Sequence, residues 1–168
     1  ETSAKLYSLS FGNVKTYLFA FLFVAGNIAL PQLCHLVPMG GQTLLPIYFF
    51  TLIAAYKFGF RVGLLTALLS PVINHLLFGM PAAAALPVLL VKSGLLAGTA
   101  ALAARYTQKV SLIALLGAIL VYQVIGTAFE WAWCSNFFLA VQDFRIGVPG
   151  MLIQWFGGYV VLKAISKL

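Results

Sequence analysis

Charged residues are scarce in this chain, and acidic residues are scarcer still. Of its 168 residues, 8% are charged and 62% are hydrophobic, and only three are Asp or Glu. A soluble fold of this length needs more polar surface than such a composition supplies. The composition therefore excludes a soluble globular protein and predicts an all-α integral membrane protein.

Several motifs of common functional sites are missing as well. The chain has no HxxxH, HExxH or CxxC spacing, so no metal site is predicted. It has no basic stripe with interleaved aromatic residues, which argues against nucleic-acid binding despite a net charge of +7. It also lacks the phosphate loop G-x-x-x-x-G-K-[ST], so a partner would have to hydrolyse any ATP. No cofactor and no enzymatic activity are predicted.

What the chain has instead is a series of apolar segments separated by short breaks. A bilayer core about 30 Å thick needs roughly 20 mostly apolar residues per helix. On that measure the sequence predicts six transmembrane helices in one compact bundle, a single domain over 1–168. The predicted spans are 14–33, 42–57, 61–79, 84–104, 110–129 and 148–165. The first span is too long for a signal peptide, so no cleavage is predicted.

The basic residues are distributed unevenly along this series. Eight of the ten fall on one predicted side: Lys5, Lys15, Lys57, Arg61, Arg105, Lys109, Lys163 and Lys167. Lys/Arg-rich loops stay in the cytoplasm. Both termini are therefore predicted to be cytoplasmic, in a multi-pass membrane protein.

The predicted outer side carries the irregular backbone and most of the polar residues. Prolines and glycines such as those in HLVPMGGQTLLP break the helices there, and irregular backbone at membrane depth is tolerated only where protein or a water-filled cavity covers it. We therefore predict an outward-facing binding cavity. The candidate substrate-binding residues are Gln42, Thr43, Asn74, His75, Lys92, Glu130, Trp133, Asn136, Asp143 and Arg145.

Lys92 is the most informative of these residues, since a charge this deep in a membrane helix is expensive and marks a functional site by default. It either contacts a ligand or forms a structural ion pair with Glu130 or Asp143. Together with Arg145 it suggests a partly anionic substrate, and the aromatic fifth loop suggests a flat or apolar part. A carboxylated vitamin or a tetrapyrrole fits both features.

Other candidates also have a plain structural interpretation. His75 is more simply an interfacial or hydrogen-bonded histidine than a ligand of a metal or corrinoid. Trp133 either stacks on a flat ligand or belongs to the aromatic belt at the membrane surface. Cys34 and Cys134 fall on the same predicted side, where they form a disulfide or remain two buried thiols, and the thiols are preferred.

The overall pattern resembles a known transporter family. Three features of the sequence carry the resemblance. They are the six apolar segments with short loops, the small-residue spacing Ala25-x-x-x-Ala29, and the stretch from Val37 to Pro81. That stretch contains Gln42-Thr43-Leu44, Gly59 and Gly63, and Gly79 with Pro81. They resemble the substrate-binding S-components of energy-coupling factor (ECF) vitamin transporters, locally those of the biotin type. No biotin carboxylate-binding pattern is found in the last helix.

The resemblance implies a transport subunit that captures a vitamin or cofactor precursor from outside. Such a subunit works with a transmembrane coupling protein and two cytoplasmic ATPases, and Ala25 and Ala29 would form the docking face for the coupling protein. Two other classes stay open: a six-helix membrane scaffold of the cell-wall morphogenesis type, and a small intramembrane enzyme using His75, Glu130 and Asp143.

Overall fold

Four long apolar helices organise the fold. The computed structural model describes residues 4–168, and the elements in this part of the chain are all helical. The long helices are α1 (Val14–Cys34), α4 (Phe60–Phe78), α5 (Leu86–Thr107) and α6 (Leu112–Cys134), numbered in chain order. Each is long and apolar enough to cross a membrane by length and composition. The chain thus has the helical architecture expected of a membrane protein.

The second predicted segment, 42–57, does not form one helix. It is divided into α2 (Gly40–Leu44), a 3-10 turn (Pro46–Tyr48) and α3 (Phe49–Phe58). The break falls at Leu45, whose φ of +46° lies in the left-handed region, and at Pro46, which has no N–H to donate to a continuing helix. The sequence prediction of one continuous helix was wrong here, because it ran across Pro46, where the helix is interrupted.

The last predicted segment, 148–165, is helical up to Ala164 but not regular. It comprises α9 (Val148–Leu152), a π-helical turn (Ile153–Gly157) and α10 (Gly158–Ala164). Two short helices, α7 (Phe137–Ala140) and α8 (Gln142–Arg145), connect α6 to α9. Single π-turns of this kind inside helices occur frequently at functional sites.

Helix α3 is the most enclosed element. Every residue from 51 to 58 is buried, because α1, α4, α5 and α10 pack around this helix. In contrast, α1 leaves large apolar side chains exposed, among them Leu18, Phe21 and Leu22 at 59%, 72% and 62%. Such a continuous apolar surface is unfavourable in water and suits contact with lipid.

The chain ends and two tight turns meet at one end of the bundle. The Lys5 amide donates to the Ser166 carbonyl (2.8 Å), the Tyr7 amide donates to the Lys57 carbonyl (2.9 Å), and the Tyr56 hydroxyl donates to the Lys109 carbonyl. We call this the basic end, because eight of the ten lysines and arginines lie there. Cys34 and Cys134 lie at the other end, where α1 and α6 finish, and both thiols are free and half-buried.

Candidate functional site

A lysine and two carboxylates meet inside the bundle near the end opposite the basic end. Lys92 Nζ lies 2.6 Å from Glu130 Oε2 and 3.1 Å from Asp143 Oδ2. The Lys92 side chain is 3% exposed, and those of Glu130 and Asp143 are 16% and 11% exposed. These are the two acidic residues of the described chain, 4–168. We call the three residues the ion triad.

Close packing between α5 and α6 positions the lysine. Lys92 lies about 9 Å along α5 from Leu86 at 1.5 Å per residue, facing α6. Opposite its stem is Gly126, where an added Cβ would lie 2.7 Å from the Lys92 Cγ. A glycine at this point therefore lets the aliphatic stem lie against α6, and the ammonium reaches Glu130 one turn further along that helix.

The second carboxylate, that of Asp143, lies in the connection between α6 and α9. Asn136 begins α7 by accepting a hydrogen bond from the Leu139 amide at its Oδ1 (3.1 Å). Asp143 follows on α8, and the backbone at Gly147 comes so close that a Cβ there would lie 2.7 Å from the Asp143 carbonyl oxygen. This tight turn follows α8, and α8 holds Asp143 beside Lys92 on α5.

A second polar group lies deeper, where α6, the π-helical turn and the 3-10 turn meet. The Tyr122 hydroxyl donates to Gln154 Oε1 (2.7 Å) and accepts from Gln123 Nε2 (2.9 Å). The ring of Tyr48 lies 5.6 Å from that of Tyr122. Tyr122, Gln123 and Gln154 are fully buried, and Tyr48 is nearly so. We call these four residues the inner polar group.

The hydrogen-bonding capacity of this interior is not used up within the described chain. Gln123 Oε1 and Gln154 Nε2 have no partner, and the same holds for Ser93 Oγ, Thr127 Oγ1 and Asn74 Oδ1. Buried polar atoms in folded proteins are nearly always paired, since an unpaired one loses its hydration without compensation. Such atoms mark positions where a ligand or a water molecule would be bound.

The ion triad and the inner polar group form one region. At 100° per residue, Gln123, Thr127 and Glu130 fall on the same side of α6, so this face is polar from the triad inward. Asp143 also lies within electrostatic range of Tyr48 and Tyr122. The arrangement offers charged, amide and hydroxyl groups around a buried position, which suits binding and orientation of a small polar molecule.

Two predicted site residues on α4 have other partners. Asn74 donates from Nδ2 to the carbonyls of Asn27 (3.0 Å) and Ser70 (2.8 Å), so it joins α4 to α1. His75 Nδ1 lies 2.7 Å from the Pro81 carbonyl oxygen and ties the end of α4 to the following loop. Neither side chain hydrogen-bonds to the ion triad.

The remaining predicted residues lie at or near the surface, at the end of the bundle opposite the basic end. Gln42 is exposed and Thr43 is half-buried on α2. Trp133 is 57% exposed and stacks on Phe129, as a residue of an aromatic belt would. Asn136 is an exposed helix cap. The exposed Arg145 places its guanidinium 3.7 Å from the centre of the Phe138 ring and donates from Nε to the Phe138 carbonyl.

Cavities elsewhere are separate from this region. A shallow cavity of 340 Å³ lies on the outside of α6 and is lined by Ala128, Trp131, Ala132 and Ser135. An apolar cavity of 310 Å³ lies towards the basic end, between α1, α3 and the C-terminal residues. Neither is lined by a member of the ion triad.

The predicted docking alanines are accessible. Ala25 and Ala29 are both exposed on α1, in line with Leu18, Leu22 and other outward-facing side chains. They are not used in packing between the helices of this chain. A group of three or more His, Cys, Asp or Glu side chains that could hold a metal ion does not occur within residues 4–168.

Sequence reasoning missed the inner polar group. Gln123 and Gln154 each stand alone in an otherwise apolar segment, and an isolated amide in a membrane helix is the signal that could have found them. Asn27 was missed for the same reason. It donates from Nδ2 to the hydroxyls of Thr51 (3.2 Å) and Ser70 (2.9 Å), linking three helices.

Comparison with known proteins adds no family. No family model, no curated protein and no solved structure matches the chain.

Proposed function

We propose that this chain is the substrate-binding S-component of an ECF-type importer, and that it captures a vitamin or cofactor precursor from outside the cell. In this proposal the segments form six transmembrane spans with both termini in the cytoplasm of a prokaryote. The basic end would then face the cytoplasm, as the positive-inside rule requires. The ion triad and its surroundings would lie towards the outer face.

The observation that carries the proposal is the buried polar region with unused hydrogen-bonding atoms. A pure scaffold needs helix packing, for which apolar side chains suffice, and a buried ion pair is often no more stable than an apolar replacement. Burying three ionisable side chains and several unpaired polar atoms among apolar helices is costly. Binding of a polar molecule would explain why these groups are buried despite the cost.

The small-residue pair on α1 supports the partner part of the proposal. Small residues allow two membrane helices to approach closely, and Ala25 and Ala29 are exposed rather than used internally. A transmembrane coupling protein would pack there, and two cytoplasmic ATPases would supply the energy. The bilayer is the remaining partner.

The test is native mass spectrometry of the detergent-purified chain, before and after incubation with a panel of vitamins. A subunit with this function should carry a small molecule from the cell or acquire one from the panel. Uptake of that molecule by cells should require the coupling protein and its ATPases. A chain that binds no panel member, and whose deletion leaves vitamin uptake unchanged, would contradict the proposal.

A further inference from the structure

We propose that the buried polar region binds a positively charged group with N–H donors, typically a protonated amine, rather than an anion. This proposal rests on the proposed function in one respect: the amine would be part of the transported substrate. It reverses the sign expected from Lys92 and Arg145 in the sequence.

The first argument is the charge count of the ion triad. One ammonium faces two carboxylates at 2.6 and 3.1 Å, so the group carries one excess negative charge when all three are ionised. Within the described chain, Lys92 is the sole cation within 4.0 Å of either carboxylate. A buried charge without a counter-charge is strongly unfavourable. A cationic ligand would supply the missing charge.

The second argument is that neither basic residue offers an anion a buried site free of negative charge. The Lys92 ammonium has three N–H donors, and two are already directed at the carboxylates. Arg145 lies on the surface against Phe138. An anionic group beside the triad would add a third negative charge to two existing ones, and such like-charge contacts are strongly disfavoured.

The third argument comes from the unpaired buried atoms. Gln123 is fully buried, lies on the same side of α6 as Glu130, and leaves its Oε1 acceptor unpaired. Thr127 lies between them with its hydroxyl also unpaired. An ammonium donates three hydrogen bonds and accepts none, so it needs acceptors of the kinds found here: a carboxylate, an amide oxygen and a hydroxyl.

The experiment compares simple probes on the full chain in detergent. Methylammonium chloride supplies a small cation with N–H donors, tetramethylammonium chloride a cation without them, and tetramethylammonium acetate a small anion at equal ionic strength. The melting temperature is followed by circular dichroism at 222 nm. Methylammonium should raise it in a saturable manner, and neither of the other salts should do so.

The variant that tests the site is Glu130→Gln. It removes the excess charge but keeps the Lys92–Asp143 pair, so the fold should be retained while the apparent affinity for methylammonium falls at least tenfold. Asp143→Asn is the second variant, with the same expectation. Should neither variant fold, the comparison of the three salts on the unmodified chain decides alone.

Three results would overturn the proposal: no response to methylammonium, an equal response to tetramethylammonium, or stabilisation by acetate. These outcomes differ from a failure of the proposed function. If the chain supports uptake of an anionic vitamin, the proposed function stands and the proposed amine ligand is wrong. If the chain binds methylammonium but supports no uptake, the amine site stands and the proposed function is wrong.

Discussion

The substitution Lys92→Met tests the structural role of the ion triad most directly. Methionine keeps an unbranched stem against Gly126 but removes the ammonium, which leaves Glu130 and Asp143 facing each other without a counter-charge. Removing one partner of a buried ion pair costs about 3–5 kcal/mol. Because each kcal/mol shifts the melting temperature of a chain of this size by about 2–4 °C, we expect a decrease of about 6–20 °C.

The measurement is thermal unfolding of the detergent-solubilised protein, followed by circular dichroism at 222 nm. Lys167→Met is the matched control, since Lys167 is exposed at the C-terminus and its loss should leave the melting temperature within about 2 °C of the unmodified chain. The triple variant Lys92→Met, Glu130→Gln, Asp143→Asn should recover most of the lost stability, because no uncompensated charge remains.

These variants separate two causes of instability. If Lys92→Met melts as the unmodified chain does, the ammonium is not a counter-charge for the two carboxylates, and the geometry of the triad is irrelevant to stability. If the triple variant is as unstable as the single one, the loss arises from packing around the stem rather than from stranded charge.

Three further predictions concern the faces of the bundle and its orientation. Changing both Ala25 and Ala29 to leucine should reduce uptake through loss of docking while ligand binding by the isolated chain is kept; equal loss of binding would assign the alanines to internal packing. Replacing Arg105 by a single cysteine, in a chain without its two native cysteines, should give a thiol that an impermeant reagent does not label in intact cells; labelling from outside would invert the proposed topology. Asn27→Ala should lower the free energy of unfolding by about 1–3 kcal/mol, since it leaves the Phe50 amide without its acceptor; an unchanged melting temperature would contradict this.

The anionic substrate expected from the sequence stays a prediction, and it depends on which charges folding brings together. On the sequence alone, Lys92 and Arg145 are positive groups available to a carboxylate. In the folded chain one of them has two internal carboxylates as partners and the other lies on an aromatic ring at the surface. A lone lysine in a membrane helix identifies a site, but the sign of its ligand depends on the charges that folding brings beside it.

The positions of the long helices could be predicted because they depend on local chemistry. The expected segment 61–79 corresponds to Phe60–Phe78, bounded by Gly59 and Gly79, which both have positive φ. Apolar runs of sufficient length and glycines at the breaks are visible without any neighbour. The division between basic and uncharged loops is also visible in the sequence, and so is Lys92 as a lone charge inside an apolar segment.

Only the tertiary structure decided which polar residues meet. Glu130 and Asp143 stand 38 and 51 residues from Lys92 in the chain, and Asn74, predicted for the same site, turns to α1 instead. The long helices are apolar on most sides, so the sequence contains little information on which side of each faces a neighbour. The sequence by itself determined a helical membrane chain with a costly buried charge, whereas helix rotation and the close approach at Gly126 determined the partners of that charge.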